Sequence, residues 1–294
     1  MASPLPIAWL NGNFVPLAEA RISPLDRGFL FADAVYEVLP VYDGRPFLFN
    51  AHMGRLERSL AAIGMAAPLE RAAWISLFDE LISRNGGGNQ FLYVQVSRGA
   101  EFGRNHAPNP TLSPTVFLMA SPLASLEDSV RESGVTAVTH PDERWKRCDI
   151  KSTSLLPNIL AKGAAAQVGA TEAILLADGC LREGSSSSVL VVRDGTLYAP
   201  PEGADILPST TRALALSLAE RIGIPRRIEA ISEAALRHAD EVLLGFATRG
   251  VLPVCRIDNL PVGRGLPGPI WQRLQAAFEA YRDTVARLPV DEEA

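Results

Sequence analysis

The chain has 294 residues, 47 % apolar and 21 % charged, an ordinary globular composition with room for a sizeable core and, at roughly 100–200 residues per domain, for two domains. A net charge of −5 and a pI near 5.5 exclude the basic footprint of a nucleic-acid binder, so a small anionic substrate has to be held by a few placed cations. Neither membrane spanning nor export is expected, since no apolar run reaches about 18 residues and the first residues lack a basic segment followed by an apolar one. Three cysteines, Cys148, Cys180 and Cys255, are an odd number without metal spacing, which predicts no disulfide framework, no metal site and a reduced, cytoplasmic setting.

In chain order, residues 7–15 read as strand, Asn11-Gly12 turn and strand, and residues 35–42 and 46–49 flank a second turn at Asp43-Gly44. Asn50 is the expected N-cap of a helix over 51–63, with Met53, Leu56, Leu60 and Ile63 at helical spacing and Gly64 as its stop. A second helix is expected over 69–84, then strands over 91–97 and 115–120. The Ser/Pro/Ala stretch 121–125 reads as a linker, dividing the chain into an N-terminal domain, 1–124, and a C-terminal domain, 125–294. Beyond it come strands near 135–139, 173–177 and 188–192, helices at 210–222, 232–237 and 270–287, and a frayed end at 289–294. Strands and helices mixed in both halves predict an α+β protein of two domains, with its site by default between them.

The chain's 28 basic side chains include only three lysines, Lys146, Lys151 and Lys162. Lys146 lies in the charged run Asp142-Glu143-Arg144-Trp145-Lys146-Arg147, which reads as a solvated loop or strand edge. Lys162 falls late in the Ala-rich segment 155–169, where a cation suits the carbonyl end of a helix. Lys151 sits at the seam between Cys148-Asp149-Ile150 and Ser152-Thr153-Ser154, strand-like before and helical after. A lysine packed there with its amine facing a cavity becomes a usable nucleophile by desolvation.

Three further groups could complete a cofactor site. Glu183-Gly184-Ser185-Ser186-Ser187-Ser188 reads either as a polar surface loop or as a carboxylate and small side chains beside a flat aromatic ring, where the carboxylate keeps a pyridine nitrogen protonated. Pro208-Ser209-Thr210-Thr211 opens a helix, with Ser209 as N-cap; the same free amides and hydroxyls also suit a phosphate. Arg55, on the earlier helix, could grip that phosphate with its fork of donors.

Lys151-Ser152-x-x-Leu155-Leu156 followed by Glu183-Gly184-Ser185-Ser186-Ser187 resembles the fold-type IV pyridoxal 5′-phosphate (PLP) enzymes, and the resemblance runs through nearly the whole chain. Asp26-Arg27-Gly28-Phe29-x-Phe31-x-Asp33-x-Val35-Tyr36-Glu37 is similar to the family's N-terminal signature, and His52-x-x-Arg55-Leu56 to its phosphate arginine. The resemblance implies that Lys151 holds the cofactor covalently and that Glu183 partners its ring nitrogen. It implies as well that Arg55 with Thr210 and Thr211 binds the phosphate, and that Ser186 and Ser187 lie in the cofactor site. After Glu241-Val242-Leu243-Leu244-Gly245 the family commonly has a run of Ser/Thr; this chain has Phe246-Ala247-Thr248-Arg249-Gly250, in which Ala247 offers its amide and Thr248 its hydroxyl to the same phosphate. Arg249 reads as an outward surface arginine or as a cation for a second substrate carboxylate. Pro40 stands where long polar side chains are common.

Arg104-Asn105-His106 resembles the carboxylate trap of D-amino-acid aminotransferases, in which an arginine and a histidine of the neighbouring subunit join a tyrosine, here matched by Tyr36, on the substrate α-carboxylate. This implies a homodimer acting on amino acids and 2-oxo acids, with D-alanine and 2-oxoglutarate giving pyruvate and D-glutamate as the family expectation. Fixing the carboxylate on the other side of the cavity would present the other Cα–H to the lysine, so the trap selects the enantiomer. The alternatives are a branched-chain L-amino-acid aminotransferase, an aminodeoxychorismate lyase, and a non-catalytic PLP carrier, which would not need the trap. A hydrolase using Ser185 to Ser188 lacks the Gly-x-Ser-x-Gly elbow.

Overall fold

The computed structural model describes residues 3–285. The expected end of the last helix at 287 and the frayed end at 289–294 lie outside them. The chain divides into two compact units, the first made of residues 3–124, 150–154 and 284–285, the second of the remainder. The boundary read from the sequence assigns 150–154 to the second half. In the structure this segment instead pairs with a strand of the first unit, because the backbone of residues 151–153 bonds to the edge groups of Ala34 and Tyr36. Among the described residues no helix is long and apolar enough to cross a membrane.

The first unit is an antiparallel sheet of β1 (Ile7–Leu10), β2 (Asn13–Pro16), β3 (Ala34–Tyr42), β4 (Arg45–Pro46), β5 (Gln90–Ser97) and β6 (Thr115–Pro122), in the order β2-β1-β6-β5-β3-β4. Its helices are α1 (Arg27–Phe31), α2 (Phe49–Ala62) and α3 (Arg71–Arg84). Alternation along β5 turns Leu92, Val94 and Val96 inward beside Val35, Leu39 and Val41 of β3, where they pack with Met53, Leu56 and Leu60 of α2 and Trp74, Phe78 and Leu81 of α3. Each such side chain, fully buried, contributes roughly 1.5–3 kcal/mol relative to exposure. Asn50 is not the N-cap of α2: the helix begins at Phe49 after Leu48, whose φ of 56° is left-handed. Phe49 is drawn into the core against the edge of Phe78, at a ring separation of 5.8 Å, and Asn50 accepts a hydrogen bond from Arg71 instead.

The second unit holds β7 (Val135–Pro141), β8 (Glu172–Ala177), β9 (Cys180–Gly184), β10 (Ser188–Arg193), β11 (Thr196–Ala199), β12 (Arg226–Ile228), β13 (Glu241–Phe246), β14 (Gly250–Ile257) and β15 (Leu260–Pro261). Their order is β12-β11-β10-β13-β14-β7-β8-β9, with β15 on β14, and both parallel and antiparallel pairs occur. The helices are α4 (Asp128–Ser133), α5 (Leu156–Gln167), α6 (Thr210–Arg221), α7 (Glu233–Arg237) and α8 (Pro269–Val285). Val189, Val191, Val242, Leu244, Leu252 and Val254 form the core of this sheet. Sheets with helices in both units make the protein α+β.

Candidate active site

Lys151 is fixed at its backbone from two sides. Its amide donates to Ser59 Oγ of α2 at 3.2 Å, and its carbonyl accepts the amide of Tyr36 at 3.0 Å. Its ammonium lies 4.3 Å from the centre of the Tyr36 ring, a cation–π contact, and makes no ion pair among the described residues. Tyr36 stacks in turn on Tyr93, at 5.6 Å and 28°, and the Tyr93 hydroxyl donates to Gln95 at 2.7 Å. Burial, aided by the neighbouring Tyr36, pushes the Tyr93 hydroxyl up to about 12, so it remains a donor. The other lysines are placed differently. Lys146 is exposed, and Lys162 stands in the middle of α5, not at its carbonyl end; its amine donates to the Thr171 carbonyl at 2.6 Å.

The inward alternation of β3 that buries Val35 and Leu39 also buries Glu37 completely. Its oxygens accept Arg55 Nε at 2.6 Å and Nη2 at 2.8 Å, and His52 Nδ1 lies 2.8 Å from the same carboxylate. Burial disfavours the Glu37 charge, but the Arg55 charge and its hydrogen bonds outweigh that and hold the carboxyl far below the usual range. Burial likewise pushes the His52 imidazole down despite its bond to Glu37. Arg55 is therefore a buried cation of fixed orientation.

The N-terminal signature builds a platform for the Arg104–His106 loop. Asp26 caps α1 by accepting the Gly28 amide at 2.8 Å and the Thr115 hydroxyl at 2.6 Å. A Cβ on Gly28 would meet Ser97 Cβ at 2.8 Å, so that turn requires glycine. Arg27, 4 % exposed, pairs with Asp33 and Glu101 and donates to the carbonyls of Asn105 at 2.6 Å and His106 at 2.9 Å. The Phe31 ring is then flanked by the guanidinium groups of Arg27 at 4.8 Å and Arg104 at 4.9 Å and by the His106 ring at 5.4 Å. Arg104 and His106 themselves are exposed in the single chain, beside Phe102 at 99 % exposure.

In the second unit Glu183 is the penultimate residue of β9, 5 % exposed, and its Oε1 accepts Arg144 Nη1 and, at 3.1 Å, the Leu207 amide. The charged run 142–147 is thus not uniformly solvated. Lys146 is exposed, but Arg144 turns inward, where Asp142 and Glu183 compensate the cost of burying it. The Ser185, Ser186 and Ser187 hydroxyls all donate to Glu172, a fully buried carboxylate at the start of β8. The resemblance carried no role for Glu37, Arg27, Arg144 or Glu172. Glu37 and Glu172 left a signal, each being a lone acid within an apolar strand, where burial demands a partner.

At the start of α6, Ser209 accepts the Arg212 amide at 3.1 Å, and Thr210 and Thr211 are buried in the first turn. A Cβ on Gly245 would meet the Ser188 hydroxyl of the neighbouring β10 at 2.5 Å and lie in ordinary contact with Thr211 at 3.4 Å, so β13 runs close to this helix end. Ala247 and Thr248 follow in the turn before β14, both half-buried. Arg249 is exposed, over the Phe246 ring at 5.6 Å.

The donors present fit a pyridine ring carrying a phosphate and an aldehyde. A buried arginine and a helix N-terminus suit the dianion, a half-buried amine the aldehyde, and a buried carboxylate the ring nitrogen. The family described as Amino-transferase class IV matches residues 34–257. D-alanine aminotransferase of Staphylococcus aureus (strain MSSA476) is 38 % identical over 274 residues, 93 % of this chain and 96 % of the relative. That of Bacillus licheniformis is 37 % identical over 269 residues, 92 % and 94 %. Among solved structures, branched-chain amino acid aminotransferase from Escherichia coli superposes with a TM-score of 0.87 at 25 % identity, covering 94 % of each chain. The T.th. branched-chain amino acid aminotransferase with pyridoxamine 5′-phosphate gives 0.86 at 28 %, again over 94 % of each. The chain belongs to the class IV aminotransferases, the fold-type IV enzymes that use PLP.

Proposed function

We propose that the chain is a homodimeric D-amino-acid aminotransferase, with D-alanine as donor and 2-oxoglutarate as acceptor. The observation that carries this is the Arg104–His106 loop, whose arginine and histidine side chains meet at the Phe31 ring on the loop backbone held by Arg27. The activity for which the D-alanine aminotransferase relatives are named, matched over nearly their whole length, supports it.

Bound PLP supplies the electron sink and carries the amino group between two half-reactions. Around it, Lys151 holds the cofactor, and its Nζ takes the proton from the substrate Cα and returns it. The Glu183 carboxylate keeps a proton on the ring nitrogen. Arg55, the Thr210 and Thr211 end of α6, and the Ala247-Thr248 turn hold the phosphate. Ser186 and Ser187, whose hydroxyls are bonded to Glu172, serve the cofactor through their backbone. Tyr36, with Arg104 and His106 of the neighbouring subunit, binds the α-carboxylate; the exposure of Arg104 and His106 in one chain supports a role in trans. Free cysteines at 148, 180 and 255 suit a cytoplasmic setting.

The test is a turnover of D-alanine with 2-oxoglutarate, followed by chiral separation of the glutamate formed. D-glutamate is expected; L-glutamate would contradict the proposal.

A further inference from the structure

Arg144 takes no part in the chemistry assigned so far, yet its side chain is 7 % exposed and every polar edge of it is engaged. Nε and Nη2 each donate to Asp142 at 2.8 Å, Nη2 also to the Asp205 carbonyl at 3.0 Å, and Nη1 to Glu183 Oε1. Asp205 is braced in turn by Arg182 at 3.0 Å. The two-point grip of Asp142 fixes the plane of the guanidinium, and the Leu207 amide fixes the other approach to Oε1. Glu183 is therefore oriented by a side chain that is itself immobilised.

We propose that Arg144 is a positioning residue that keeps Glu183 ionised and in one orientation, so that the proton between that carboxylate and the cofactor's ring nitrogen stays on the ring. This rests on the assignment of Glu183 to the ring nitrogen. A carboxyl as buried as this one takes up a proton readily unless a cation opposes it, and a neutral Glu183 would offer no charge to hold a pyridinium. Arg144 is a cation bonded directly to Glu183, and the neighbouring charged or titratable groups are committed elsewhere. Asp142 and Asp205 are acids. Arg212 is engaged by Glu202 and the Pro200 carbonyl. Burial pushes the Cys148 thiol up to about 11, so it stays neutral.

The experiment follows the visible absorption of the holoenzyme against pH, and the single-turnover rate with D-alanine, in Arg144→Gln, Arg144→Lys, Glu183→Gln and the double Gln variant. Arg144→Gln should make the band titrate between about pH 6 and 9, a window in which the wild-type band should stay flat, and slow the half-reaction about 10- to 100-fold. Arg144→Lys keeps the charge, so its band should stay flat and its rate fall less. The double variant should be no slower than Glu183→Gln alone, because both changes act through one carboxylate. A flat band in Arg144→Gln, or losses that multiply in the double variant, would overturn the proposal. Should Arg144→Gln not fold, the Lys variant decides, since a titrating band there contradicts the role of charge. Wild-type spectrum and rate in Glu183→Gln would instead remove Glu183 from the ring nitrogen, a separate failure.

Discussion

Arg55 and Glu37 meet fork to fork inside the first unit, Nε to Oε1 at 2.6 Å and Nη2 to Oε2 at 2.8 Å, with His52 Nδ1 sharing Oε2 at 2.8 Å. The pair joins the middle of β3 to α2 and aims the arginine assigned to the cofactor phosphate. Replacing Glu37 by Gln removes the carboxylate charge that this buried guanidinium grips at two points, so stability should fall by about 3–5 kcal/mol. Cofactor retention should fall with it. Chemical unfolding of the two proteins side by side, with the cofactor content measured after gel filtration, checks both. A variant as stable as wild type would show that the pair is dispensable.

The same cluster sets an acid limit. Glu37 is held below its ordinary 4.5, so its stabilisation is present above that value and lost as pH falls toward the folded one. His52 is also held below its ordinary 6.5; the unfolded chain takes up this proton first, and stability again declines as pH drops below 6.5. Both contributions have the same sign. Unfolding free energy should therefore decline from about pH 6.5 downward, and less steeply in His52→Gln. An acid limb unchanged by that substitution would assign the loss to other groups.

Lys151→Ala should abolish both the visible band and transamination. Neither remaining lysine can substitute, since Lys146 is exposed and Lys162 is bonded to the Thr171 carbonyl. A variant that retains band and turnover would transfer the role elsewhere.

The trap makes a prediction in two parts. A charge-assisted bond to a carboxylate is worth about 1.5–3 kcal/mol, so Arg104→Ala should raise KM for D-alanine about 10- to 100-fold and leave an amine without a carboxylate nearly unaffected. Arg27→Ala should act in the same direction without touching substrate, because it releases the Asn105 and His106 carbonyls that hold the loop. Mixing subunits that lack Lys151 with subunits that lack Arg104 should restore one working site per dimer. No recovery would place the loop in its own subunit's chemistry.

Much of the fold could be read from periodicity. The alternation of β5 and the helical spacing of Met53, Leu56 and Leu60 each match one buried face. The start of α2 could not, because burial of Phe49 decides it and a cap residue does not. β13 and β14 escaped because residues 241–245 and 250–255 are buried almost continuously and show no alternation to count. In the site, lysine scarcity and the motif around Lys151 were legible, whereas Arg144 was not. A charged run looks solvated until the long-range acid that turns one of its members inward is known, and Glu183 lies 39 residues away. Glu172, the acceptor of three serine hydroxyls, was signalled by being the one acid of an apolar strand, but its serine partners, 13 to 15 residues away, were not.

The most direct measurement is a single-turnover spectrum of the purified holoenzyme mixed separately with D- and L-amino acids, following loss of the visible band as the cofactor takes up the amino group. Rapid conversion by D-alanine and D-glutamate, with slow or no conversion by L-leucine, is the result predicted by the Tyr36, Arg104 and His106 assignment. Faster conversion by L-leucine than by any D-amino acid would contradict it and place the enzyme with the branched-chain aminotransferases it also resembles in fold.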